Sequence, residues 1–158
     1  MRLKELCQLR GVSGDEKEVH DFLYKEYEKR NLSIIKDRLG SIFGLKKGKD
    51  SSYKIMISSN IDESGGMISD IREDGLMEFL TIGLYEKSLF EQRIVKVLNR
   101  RHEKYTGFII KNEKELLLDA GYGSKEEVLE AGIQIGDMFV LDIPTLCLPN
   151  EEILSKNL

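Results

Sequence analysis

Tyr53-Lys54-Ile55-Met56-Ile57-Ser58-Ser59-Asn60-Ile61-Asp62-Glu63-Ser64-Gly65-Gly66-Met67-Ile68 is the stretch on which the fold turns. A short apolar run leads into a polar exit that carries two carboxylates and then two glycines. Its length and isoleucine content predict a buried strand over 53–58. Open α/β sheets place their chemistry just beyond such strand ends. After Gly66 the pattern changes, so this is also where one kind of layer gives way to another.

Working outward toward the amino terminus, Ser13-Gly14-Asp15-Glu16 fits a capping box, with Ser13 accepting from the Glu16 amide. Val19, Phe22, Leu23 and Tyr27 then recur at helical spacing and make one apolar stripe, which Asn31 ends. Two strand-like runs, 33–37 and 41–46, flank Gly40, and 46–52 reads as a solvated turn. The order helix, strand, strand, strand is the start of an α/β layer, assigned to residues 1–66.

Toward the carboxyl terminus, Asp74-Gly75 between the apolar runs 67–71 and 76–80 signals a hairpin. Further strands are expected at 93–98, 106–110, 115–119 and 137–142. Ser124-Lys125-Glu126-Glu127 is a second capping box, with Val128 and Leu129 as its apolar face and Gly132 past its end. Many short strands separated by turns predict a β-barrel or sandwich over 67–148. Residues 149–158 are polar, show no partner element, and read as a linker or tail.

Bulk properties narrow the function classes. The chain has 158 residues, 41% hydrophobic and 33% charged, which suits one domain, or one domain plus a small insertion. A net charge of -4 and a pI near 5.4 argue against nucleic-acid binding, which needs a concentrated basic face. The densest basic run, Arg100-Arg101-His102-Glu103-Lys104, reads as a solvated turn. Cys7 and Cys147 lie far apart without CxxC spacing, which argues against a disulfide framework or structural zinc. The charged first residues are not a signal peptide, and no apolar run reaches membrane-spanning length. The expectation is a soluble protein of the reducing cytoplasm.

Of the many titratable residues, few fall in a pattern that points to chemistry. Adjacent Asp62 and Glu63 would point to opposite faces of an extended segment. Glycoside hydrolysis needs two carboxyls facing one substrate at ~5–9.5 Å, so that pair is rejected. His20 and His102 sit among charged neighbours and read as surface residues. Gly65-Gly66 lacks the surroundings of a phosphate loop.

Asn60-Ile61-Asp62-Glu63-Ser64-Gly65-Gly66-Met67-Ile68 resembles the His-Met-Asp-Glu-(Ile/Val)-Gly-Phe-Met-Val signature of the tetrahedral aminopeptidases. These are the glutamyl and deblocking metallo-aminopeptidases, some also labelled endoglucanase or cellulase M. The opening Leu6-Cys7-Gln8-Leu9-Arg10-Gly11-Val12-Ser13-Gly14-Asp15-Glu16 is similar to the family's start. Asp119-Ala120-Gly121-Tyr122-Gly123-Ser124-Lys125-Glu126-Glu127, followed by Gly132-Ile133-Gln134-Ile135-Gly136-Asp137, resembles a later family motif. The resemblance covers nearly all of this chain but about the first half of a family member.

What it implies is an α/β metallopeptidase layer that binds two divalent metals, zinc or cobalt, with an inserted β-barrel-like domain that builds dimers and larger shells. Asn60 occupies the position of a ligand histidine, and Asp62 that of the carboxylate which orients its imidazole. An amide oxygen is a poor zinc or cobalt ligand. The bridging Asp, the paired glutamates with their general base, a further Asp and a final His would all follow residue 158. The expectation is therefore an N-terminal portion that binds no metal and cleaves no peptide by itself. Peptides would become its partners only once the missing half completes it, and homo-oligomers would form through the β-rich domain. A non-catalytic self-association module derived from that family is the alternative. An unrelated β-barrel binding module is a third reading, which would require a structure without the α/β layer before Gly66.

Overall fold

A computed structural model describes residues 2–50, 52–113, 115–150 and 152–156. Helices α1 (Arg2–Gln8) and α2 (Lys17–Lys29) precede an antiparallel hairpin of β1 (Ser33–Lys36) and β2 (Ile42–Leu45). Helix α2 begins later than the Ser13 capping box predicts, and no side chain caps it. A tight turn intervenes: Asp15 N–H donates to Val12 O at 2.7 Å, and Gly14 takes φ +97°. The Glu16 carboxylate accepts instead from Gly14 N–H at 2.8 Å. The other end of α2 behaves as Asn31 suggests. Asn31 adopts φ +52°, its N–H bonds to Glu28 O, and Leu32 N–H reaches back to Tyr27 O, which satisfies the last carbonyls.

Strands β3 (Gly65–Ile71), β4 (Met77–Ile82), β5 (Ile94–Leu98), β6 (Lys104–Asn112), β7 (Glu115–Asp119) and β8 (Met138–Leu141) close a barrel in the order β3-β4-β7-β6-β5-β8. Asp74-Gly75 makes the expected hairpin: Gly75 sits at φ +82°, and Asp74 accepts from Leu76 N–H. Ser124 caps helix α3 (Lys125–Glu130) by accepting from Glu127 N–H, while the Glu127 carboxylate accepts from Gly123 N–H at 2.8 Å. Gly132, at φ +89°, ends the helix in a Schellman motif.

Alternate strand residues fill the barrel. Ile68, Val95, Val97, Ile109 and Leu118 are completely buried. At the centre Phe79 meets Phe139 edge-to-face at 5.1 Å. Phe90, from a 3₁₀ turn at Lys87–Phe90, packs on both rings at 5.9 and 5.7 Å. Such T-shaped contacts suit the ring quadrupoles. One seam is thin: among the described residues β4 meets β7 only at Met77↔Leu118, whereas every other seam has at least two register pairs. Beyond that pair the strands diverge around a cleft of about 450 Å³, at whose wall Lys87 lies 4.4 Å above the Phe79 ring.

Two expectations fail. Residues 53–58 form no ladder with any described strand and are exposed throughout. The apolar pattern marks a segment able to be a buried strand, but no described strand lies beside it. Nor do 149–158 lack a partner. Strand β10 (Ile153–Leu154) pairs with β9 (Leu146–Cys147), and Ser155 Oγ lies 2.9 Å from Thr145 Oγ1 in a buried contact.

Candidate functional site

From Ser52 to Asn60 the chain is exposed and carries no regular secondary structure, and at Glu63 it is anchored. Glu63 N–H donates to Gly11 O at 2.6 Å, and its carboxylate accepts from Gly11 N–H at 3.2 Å. Close approach explains the glycine: a Cβ at Gly11 would meet Val19 at 2.9 Å and Ile61 O at 3.1 Å. The same carboxylate oxygen takes a 2.7 Å ion pair from Lys156, whose own carbonyl accepts from the Tyr85 hydroxyl. Both side chains of the pair are almost sealed from water, at 6% and 5% exposure. Glu63 is thus a three-way junction between the opening turn, the barrel entry and the carboxyl-terminal segment.

The residues singled out by sequence sit differently. Asn60 and Asp62 are both exposed, ahead of the junction. His20 is half-buried on α2, with Nδ1 3.8 Å from Asp21. His102 is exposed in the predicted turn, at φ +60°. Neither histidine is brought to Asp62. Among the described residues no group of three or more His, Cys, Asp or Glu side chains could hold a metal ion. The donor set at the strand exit does not fit a zinc or cobalt centre. It offers one amide and one free carboxylate, and Glu63 is already committed to Lys156.

Gly65 and Gly66 open β3 under severe crowding. A Cβ at Gly66 would lie 2.3 Å from the Phe139 ring, and one at Gly65 would lie 2.3 Å from Phe139 O. Phe139 of β8 thereby fills the space an aromatic at position 66 would need. Gly66 stands where the quoted family signature has Phe, and nothing in the local sequence signals Phe139 as the reason.

A second cluster, also missed, joins the two layers. Glu18 on α2 accepts from Arg10 Nη2 at 2.6 Å and pairs with Lys104 of β6 at 2.9 Å. Burial pushes the Glu18 carboxyl up, but hydrogen bonds and charge from Arg10 and Lys104 outweigh it and hold the pKa at about 2. Such contacts link residues far apart in sequence and leave no local pattern.

Two helices and the β1–β2 hairpin thus lead, through a carboxylate-bearing segment, into a closed six-stranded barrel. The chain belongs to the M42 glutamyl aminopeptidase family, whose sequence profile matches residues 40–158. It is 30% identical to the putative aminopeptidase FrvX of Escherichia coli over 99% of this chain and 48% of that protein. Its fold matches aminopeptidase APDkam598 from the archaeon Desulfurococcus kamchatkensis with a TM-score of 0.85 and 34% identity, covering 93% of this chain and 44% of that one. It also matches PhTET1-12s, described as a dodecamer, with a TM-score of 0.80 and 25% identity, over 94% and 47% of the two chains. The chain spans about half the length of the curated relatives it matches.

Proposed function

We propose that this chain is the N-terminal portion of a metal-dependent aminopeptidase homologue and is catalytically inactive alone. The observation that carries the reading is the exposed apolar run at 53–57. Tyr53, Ile55, Met56 and Ile57 are 83%, 90%, 72% and 92% exposed, and the segment lies directly before the family signature. Each such side chain gains roughly 1.5–3 kcal/mol when covered, so the segment suits a sheet whose neighbouring strands come from elsewhere. In the completed enzyme, divalent metal would activate water for removal of N-terminal residues from peptides. Here Asp62 holds the position that would orient a ligand, but Asn60 cannot serve as that ligand, and no step is assigned to this chain.

The proposal keeps 1–66 with the catalytic layer, 67–148 as the barrel and 149–158 as the return toward the second half. It also places the protein in the cytoplasm, supported by two free cysteines, Cys7 and Cys147. No helix among the described residues is long and apolar enough to cross a membrane. Metal analysis of the purified chain, with assay on short peptides, tests the reading. The expected result is no stoichiometric zinc or cobalt and no release of amino acids. Tightly bound metal with chelator-sensitive release would refute it.

The dodecameric description of PhTET1-12s supports the second reading, in which the barrel carries self-association without catalysis. Light scattering that shows a strict monomer at high concentration would remove that reading.

A further inference from the structure

We infer that the cleft between β4 and β7 binds the carboxyl-terminal end of an extended apolar peptide, gripped by its backbone and by its terminal carboxylate. None of residues 60–63 lines this cleft, so the site is apart from the strand exit described above.

The backbone argues for a peptide. Beyond Met77↔Leu118, among the described residues, Phe79, Leu80 and Thr81 pair with β3 alone, and Leu116 and Leu117 pair with β6 alone. The sides of both strands that face the gap therefore hold main-chain donors and acceptors without a ladder partner. An extended peptide is the ligand that matches such an edge. Three open positions on β4, at ~3.3 Å each, take about three ligand residues. The side chains set the rest of the chemistry. Buried Phe79, Leu116 and Leu117 line the cleft from the barrel side, and exposed Leu80 lines it at the rim. Its volume of about 450 Å³ is that of a small-ligand site.

Charge selects the end of the peptide over its middle. Lys111 is paired with Glu91 at 3.1 Å, and Arg72 holds both Glu78 at 2.7 Å and Glu115 at 2.6 Å. Lys87, the other lining cation, has no carboxylate partner among the described residues. Its ammonium lies 4.4 Å above the Phe79 ring, against the apolar wall. A cation so placed fits a carboxylate carried next to an apolar group. A terminal leucine or valine supplies both, together with the backbone that the strand edge reads. An internal peptide segment would leave Lys87 unmatched, and a fatty acid would leave the edge unmatched.

Amide spectra of the ¹⁵N-labelled chain, titrated with acetyl-Ala-Val-Leu bearing a free carboxylate, test this. Saturable shifts are expected at 79–81 and 116–117. The same peptide as its carboxyl-terminal amide, or with its backbone nitrogens methylated, should bind at least ~10-fold more weakly. Lys87 is exposed, so Lys87→Met leaves the barrel folded, and it should abolish the preference for acid over amide, whereas Lys87→Arg keeps it. The inference is overturned by any of four results: no saturable shift at those amides, equal affinity for acid and amide, a preference that survives Lys87→Met, or acetate competing as well as the tripeptide. Shifts confined to 60–63 would move the peptide to the strand exit and overturn it too. The test reads neither metal content nor amino-acid release, so its failure is separate from failure of the proposed function.

Discussion

At position 66 the local chemistry is decided by a residue 73 positions away. The Phe139 ring lies 2.3 Å from where a Cβ of Gly66 would stand, so Gly66→Phe, which reinstates the family's aromatic, must displace that ring. Overpacking of this kind costs about 1–3 kcal/mol or more. Urea denaturation should show that loss, and adding Phe139→Ala should recover part of it by vacating the space. Strict additivity of the two changes would refute the contact. The Glu63–Lys156 pair makes a second prediction. Removing one partner of a buried pair strands the other charge, at about 3–5 kcal/mol. Lys156→Met alone should therefore lower the denaturation midpoint more than the Glu63→Gln/Lys156→Met double change does.

Among the elements, the sequence shows most where the chemistry is local. Asp74-Gly75 specified its hairpin because the turn needs a residue at positive φ, and Ser124 specified the start of α3 because a hydroxyl there satisfies the Glu127 amide. Ser124→Ala should cost about 1 kcal/mol in chemical denaturation, with no change in the denaturant slope. Ser13 carries the same kind of signal yet caps nothing, since the Val12–Asp15 turn takes it out of position. The 53–58 run reads in sequence as a buried strand, yet it forms none and is exposed, because pairing and burial depend on neighbours that local sequence cannot supply. Strand β10 escaped notice because two residues give no periodicity. At the site, Asn60 and Asp62 could be placed by motif, whereas the role of Glu63 depended on Lys156, 93 residues away.

For the molecule as a whole, Glu18 joins the amino-terminal layer to the barrel, and its carboxyl titrates at about 2, below its ordinary value of 4.5. A lowered carboxylate pKa stabilises the folded form fully above pH 4.5, and that contribution fades as the pH falls toward 2. Thermal unfolding between those values should show a shallower acid limb in Glu18→Gln than in the unaltered chain. Asn60→His tests the metal argument on the same scale: one imidazole added to this chain should not create a stoichiometric zinc site, as equilibrium dialysis would show. Finally, among the described residues the barrel is stitched along the β4–β7 line at Met77↔Leu118 alone. A cylinder closed that way is better described as a rolled sheet held by one stitch, so warming should unroll it there first. Amide deuteration should accordingly advance along 79–81 and 116–117 while the β5–β6 hairpin still resists.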